Sequence, residues 1–169
     1  MDIIETPRLR LVPLSERQLG LCLHNLPAFE QDLGFSFARD VVDTPILRAL
    51  GMKLKKMRQA DPSTHVWYTY WLVIVQAENV GAGLVGFKGY PNEYGSTEIG
   101  YGISPRFQNQ GYMTEAVRGL VEWAFSHPFC QTVTATTVKN PASNRLLQKL
   151  GAQLVEQARG SSSWRISRA

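Results

Sequence analysis

Apolar and polar positions change period several times along this 169-residue chain, and each change marks an element. Arg8, Leu9, Arg10 and Leu11 alternate, as a half-buried strand does. Ser15 and Gln18 have the spacing of a capping box. Leu19, Cys22, Leu23 and Leu26 then recur on one helical face, up to Pro27. Residues 28–43 carry no assignable period. Thr44 as N-cap and Pro45 in the first turn predict a helix to residue 60, with Leu47, Leu50, Leu54 and Met57 inward and Asp61-Pro62 as the stop. Residues 67–76 are rich in Trp, Tyr, Val and Ile and predict a long strand; residues 79–83 then turn it back into a strand over 84–89. After a loop come a strand at 97–103, a helix at 112–126 and a strand at 132–138. A helix at 142–150 and a closing pair of strands end the chain. The order predicts an α/β chain (α+β, three layers), with a mixed, mostly antiparallel sheet flanked by helices and one βαβ crossover.

Composition narrows the class. Hydrophobic residues make up 44% and charged residues 19%, as expected for one folded domain over residues 1–169. No apolar run approaches the roughly 18 residues of a membrane span. Residues 1–5 lack a basic region followed by an apolar block, so no secretory signal is expected. Cys22 and Cys130 lack metal-ligand spacing and read as free, buried thiols in a cytoplasmic protein. His24, His65 and His127 have no partners at ligand spacing, so no metal is expected. The net charge of +4 suits a polyanionic ligand or nucleic acid. Arg48, Lys53, Lys55, Lys56 and Arg58 form the densest basic run, which reads as a solvated helix face. Neither an aromatic-and-basic RNA-binding sheet nor a helix-turn-helix is evident, so nucleic acid is not the expected partner.

Candidate chemistry concentrates in two stretches. Between the strand at 97–103 and the stripe Met113, Ala116, Val117, Leu120, Ala124 lies a short loop, Gln108-Asn109-Gln110-Gly111-Tyr112-Met113. Strand, glycine loop and helix start together point backbone N–H groups and the positive end of a dipole at an anion. Neither a nucleoside-triphosphate loop nor a Gly-x-Gly-x-x-Gly fingerprint is present. Further on, Asn140-Pro141-Ala142-Ser143-Asn144-Arg145-Leu146-Leu147-Gln148-Lys149-Leu150-Gly151 is a helix with its own start and stop signals.

The loop resembles the pyrophosphate loop of the GNAT superfamily of N-acetyltransferases, Gln/Arg-x-x-Gly-x-Gly/Ala, with Met113 departing at the last position. The second stretch resembles another signature of that superfamily, with Gln148 for the usual Glu and Ala152 for the usual Phe. Glu5 to Leu14 is similar to the first strand of the branch that includes ribosomal-protein N-terminal acetyltransferases. The resemblance implies a GNAT fold, with central parallel strands splayed at a cofactor cleft, and acetyl-CoA as co-substrate. It also implies direct transfer to an amine, either a small molecule or a protein N-terminus, by a monomer or homodimer. Expected cofactor contacts are Tyr101, Ile103, Gln108, Asn109, Gln110, Gly111, Tyr112, Met113, Asn140 and Arg145, with an oxyanion donor among the amides of Tyr101 to Ile103.

Acetyl transfer needs a base for the amine and a proton for the departing thiolate. Glu98 shares a strand face with Gly100 and Gly102, which leave it bare for a ligand; it is either the base or a solvent-facing carboxylate. The family's other Glu position, on the following strand, appears here as Ala135 or a neighbouring Thr. Ser143 matches the branch's serine and either relays the thiolate proton or caps its helix. Trp67, Tyr68 and Trp71 are candidates for the acceptor cleft or, as aromatic strand residues more often are, for the core, and Glu115 for structural support of the loop. Two other readings remain: a non-catalytic acyl-CoA sensor, and a small basic RNA-binding domain.

Overall fold

The computed structural model describes residues 2–169. The elements are β1 (Ile4–Glu5), β2 (Leu9–Pro13), α1 (Glu16–His24), α2 (Leu26–Leu33), α3 (Thr44–Gln59), β3 (Tyr70–Val75), β4 (Val80–Phe87), β5 (Ser96–Ile103), α4 (Tyr112–Phe125), β6 (Thr132–Val138), α5 (Pro141–Lys149), β7 (Gln153–Ala158) and β8 (Ser161–Ser167). Short 3₁₀ turns lie at Arg39–Val41, Pro62–Trp67 and Pro105–Phe107. The strands form one sheet in the order β1-β2-β3-β4-β5-β6-β8-β7. Neighbours are antiparallel except β5 and β6, which α4 joins in parallel.

Strands β3 and β4 are covered on both faces, so they are apolar throughout. Along β3, Trp71, Val73 and Val75 join Val117, Leu120 and Ala124 of α4 in one core. Tyr70, Leu72 and Ile74 join Leu19, Phe29, Leu50, Leu54 and Met57 of α1, α2 and α3 in the other. Truncating a fully buried leucine such as Leu50 or Leu120 costs about 2–5 kcal/mol. Among the described residues no helix is long and apolar enough to cross a membrane.

Several expected boundaries move. The first helical stripe is broken at Asn25, which closes α1 and caps α2 through its side chain, with Ala28 N donating to Oδ1 at 3.2 Å; Pro27 therefore opens the next helix. Asp43, not Thr44, caps α3, accepting from Ile46 N at 3.0 Å. Leu47 is exposed, because the inward face of α3 runs through Ile46, Leu50, Lys53, Leu54 and Met57. Strand β3 starts at Tyr70, since Pro62 opens a 3₁₀ turn that holds Trp67. The turn into β4 comes before residue 80, with Asn79 at φ 52°, and Gly81 and Gly83 are strand residues. Gly83 is small for a reason: a Cβ there would lie 2.6 Å from the Gly102 carbonyl of β5.

Lys53 is not part of a solvated face. It is 6% exposed, donating from Nζ to the carbonyls of Phe87 (2.7 Å) and Tyr68 (3.1 Å), over the Tyr70 ring. Burial, helped by Lys56 and Lys88 nearby, pushes its pKa down to about 7.

Candidate active site

Strands β5 and β6 pair over only three rungs: Ser96 with Thr132, Thr97 with Val133, and Glu98 with Thr134. Beyond Glu98, β5 continues to Ile103 along β4, while β6, paired with β8 from Thr132 on, bulges between Ala135 and Val138. Thr137 in that bulge has φ 55°, a strained conformation for a β-branched residue. The two parallel strands therefore fork. A cleft of about 590 Å³ runs along the upper part of β5 at this fork. It is lined by residues 101–103 of β5, by the loop and first turn of α4, and by α5 from its cap to Lys149.

The loop wall is built of backbone. Asn109 (φ 62°) and Gly111 (φ 80°) both turn left-handed, and Gly111 is the N-cap of α4, with no side chain to cap it. The first helical bond runs from Glu115 N to the Gly111 carbonyl. Among the described residues, the N–H groups of residues 109–114 have no hydrogen-bond acceptor. Six free donors and the positive end of a helix make this wall fit for an anion.

Arg8 of β2's approach holds the loop from behind, a residue whose role was not legible in sequence. Its Nη1 donates to the Gln110 carbonyl at 2.8 Å, its Nε to Glu115 Oε1 at 2.8 Å, and its guanidinium lies over the Tyr112 ring. Glu115 also accepts from Thr6 Oγ1 (2.5 Å) and Arg8 N (2.9 Å). Partial burial alone raises the Glu115 pKa, but these bonds outweigh it and hold the carboxyl below its ordinary value of 4.5. Glu115 thus has the supporting contacts expected of it.

The α5 wall supplies cations and hydroxyls. Asn140 caps α5, accepting from Ala142 N at 2.8 Å. Asn144 Oδ1 accepts from the indole of buried Trp164 at 2.7 Å, tying α5 to β8. Arg145 and Lys149 line the cleft, as do Asn140 and Ser143. The Tyr101 phenol lies against the Ser143 hydroxyl; burial pushes its pKa up, with Ser143 opposing. The third wall, Asp40, Val41 and Asp43, comes from the stretch without assignable period.

Of the expected site residues, Tyr101, Ile103, Gln108, Asn109, Gly111, Tyr112, Met113, Asn140, Ser143 and Arg145 line this cleft. Gln110 lies in the same loop. Glu98 sits below the cleft at the last paired rung, on the face it shares with Gly100, and pairs with Lys88. A Cβ on Gly100 would meet nothing within 4 Å, so the strip above Glu98 is open; at Gly102 the space is taken by Ile46. Trp67 and Trp71 do not line the cleft. They are buried against Trp123, at centroid distances of 4.7 and 5.0 Å, because their large apolar rings fill the sheet–α4 interface. Tyr68 is half-buried beside Gly89, also outside the cleft lining.

The profile of the acetyltransferase (GNAT) domain matches residues 8–153. The chain belongs to the GNAT acetyltransferase family. Among curated relatives, the uncharacterised N-acetyltransferase YjdG of Bacillus subtilis (strain 168) is 30% identical over 95 residues, 56% of each chain. YnaD of the same organism is 32% identical over 80 residues, 47% of this chain and 46% of that one. The matches thus span about half the length of these relatives. Among solved structures, RimL, a ribosomal alpha-N-protein acetyltransferase in complex with coenzyme A, superposes with a TM-score of 0.66 at 17% identity, covering 98% of both chains. A GNAT-family acetyltransferase from Bacillus anthracis gives 0.63 at 19% identity, again over 98% of both. The forked sheet is the GNAT fold.

Proposed function

We propose that this protein transfers an acetyl group from acetyl-CoA directly to a primary amine, on a small molecule or a protein N-terminus. The observation that carries the reading is the row of unpaired N–H groups at residues 109–114, in a loop and helix start that line a cleft also lined by Arg145 and Lys149. A pyrophosphate suits the amides, and a further phosphate suits the two cations. The absence of a side chain at Gly111 permits close approach. Acetyl-CoA supplies the activated thioester when bound.

Glu98 takes the proton of the incoming ammonium, directly or through one water, and leaves a nucleophilic amine. An amide within residues 101–103, beside the fork, donates to the developing oxyanion. Ser143, next to the Tyr101 phenol, gives a proton to the departing thiolate. A covalent acetyl-enzyme is not needed, and the thiols are poorly suited to one. Cys22 is buried, with its pKa pushed up to about 12 by desolvation, and burial also raises that of Cys130.

The test is release of thiol from acetyl-CoA across a panel of amines. Turnover of at least one amine is expected. Coenzyme A binding with no turnover of any amine would point instead to a sensor. Glu98→Gln should lower turnover by about 10²–10⁴-fold near neutral pH and recover partly as the amine deprotonates at higher pH. A loss below about tenfold, with saturating acceptor, would remove Glu98 as base.

A further inference from the structure

The two carboxylate oxygens of Glu98 are not equivalent. Oε2 receives the Lys88 ammonium and, at 2.9 Å, the Thr136 hydroxyl. Oε1 has no hydrogen-bond partner among the described residues, and the open strip at Gly100 lies on its face of the strand. Glu98 therefore offers one held oxygen and one free one.

Both holding residues are themselves fixed. Lys88 follows the last residue of β4, and its N–H donates to the Glu98 carbonyl at 2.8 Å. Its own carbonyl accepts from Lys56 Nζ at 3.0 Å, and the preceding carbonyl, that of Phe87, accepts from Lys53 Nζ at 2.7 Å. Two lysines of α3 thus grip the backbone from which a third reaches the carboxylate. Burying Lys53 among apolar side chains is costly, and an apolar residue of similar length would fill the same space without that cost. On the other side, Thr136 shares a face with Thr134, the rung partner of Glu98. The bulge at residues 135–138 begins there and includes the strained Thr137. The strand on which the family resemblance places an alternative Glu carries Ala135 and threonines here, and one of those threonines, Thr136, reaches Glu98.

We propose that Lys88 and Thr136 are positioning residues for Glu98, with Lys53 and Lys56 setting the backbone of Lys88. They pin Oε2 and leave Oε1 as the oxygen that accepts the ammonium proton of the acceptor. That proton moves from the substrate nitrogen to Oε1, directly or over one water, and Lys88 keeps its own protons throughout. The charged groups around the carboxylate are Lys88 from the end of β4 and Lys53 and Lys56 from α3; β6 contributes the neutral Thr136. The proposal rests on the reading of Glu98 as base.

The test is a double-mutant cycle on the full chain, using acetyl-CoA at saturation and the best amine of the panel. Lys88→Met should lower kcat by about tenfold or more and leave the KM for acetyl-CoA unchanged, since misplacing a catalytic group by about 1 Å costs up to about 10²-fold. Lys88→Arg should restore most of the loss. In the Glu98→Gln background, Lys88→Met should change kcat by less than about twofold, because nothing is left to position. An equal loss in both backgrounds, or wild-type kcat in folded Lys88→Met, would overturn the clamp and leave the base reading standing. Wild-type turnover in Glu98→Gln, or no turnover of any amine by the wild type, removes the base reading and the clamp with it. Thr136→Val, run through the same cycle, reports on the same oxygen without touching charge. It decides the matter by the same criteria if Lys88→Met does not fold.

Discussion

Among the described residues, four of the five α-helices begin with a side-chain cap, and one does not. Ser15 and Gln18 form the reciprocal box at α1, with bonds of 3.1 and 3.0 Å. Asn25, Asp43 and Asn140 cap α2, α3 and α5. At α4 the N-cap is Gly111, which has no side chain. The first-turn carboxylate of α4, Glu115, is engaged by Thr6 and Arg8 and not by the helix's own N–H groups. A capped start satisfies its donors internally and so stabilises the fold; an uncapped start keeps its donors for something else. The difference separates helix ends that serve stability from the one equipped for a ligand. It also explains why α4 needs an external brace: Arg8 fixes from outside a loop that no local cap fixes from within.

The comparison can be broken most sharply at Gly111. Gly111→Val puts a β-branched residue at φ 80° and a Cβ 3.3 Å from the Arg8 guanidinium. Coenzyme A binding should weaken by more than about tenfold, roughly 1.4 kcal/mol, in a protein that still folds; calorimetry on the variant checks it. Unchanged affinity would take the loop out of the site.

The brace gives the next effect. Glu115→Gln should cost about 1.5 kcal/mol of stability at neutral pH, the lower end for hydrogen bonds to a charged group. The pH dependence has a definite sign. The folded carboxyl is held below its ordinary value of 4.5, so on acidification the unfolded chain binds the proton first. The stabilisation is complete above that value and is lost as pH falls through the lower folded one. Denaturant melts of wild type and variant should therefore converge over the acid window below 4.5. A gap that stays constant over this window would show that the carboxylate's charge is not what matters.

The smallest effect belongs to a capped start. Ser15→Ala should cost about 1 kcal/mol of stability and leave coenzyme A affinity unchanged, since no residue of α1 lines the cleft. Thermal unfolding and calorimetry on one preparation test both halves. If this cap change altered ligand affinity as much as Gly111→Val, the distinction between the two kinds of helix start would be wrong.

Much of this was legible along the chain because its physics is local. A capping box, a proline at a first turn, a left-handed glycine and a stripe of period 3.6 each need only a few neighbouring residues. Hence the loop at 108–113, the helix at Asn140 and the unusual face of β5 could be found in sequence. The errors have the same root. Leu47 and Lys53 differ by six positions on one helix. Their fates are reversed because Ile46, one position before Leu47, leads the inward face, and because two backbone carbonyls, those of Tyr68 and Phe87, await an amine at Lys53. Trp67 and Trp71 could be read as cleft lining or as core, and Trp123, some fifty residues away, decides for the core.

The sequence by itself determined the family, the run of elements from residue 44 onward and the glycine loop that opens one helix. These follow from residue type and short-range spacing. Only the tertiary structure decided that β5 and β6 part after three rungs, that Arg8 stands behind a loop about a hundred residues away, and that Lys88 and Thr136 meet on one oxygen of Glu98. Such contacts depend on strand order, on a bulge and on which face each strand turns inward. No local period encodes these, because they are fixed only when both faces of the sheet bury their apolar side chains together.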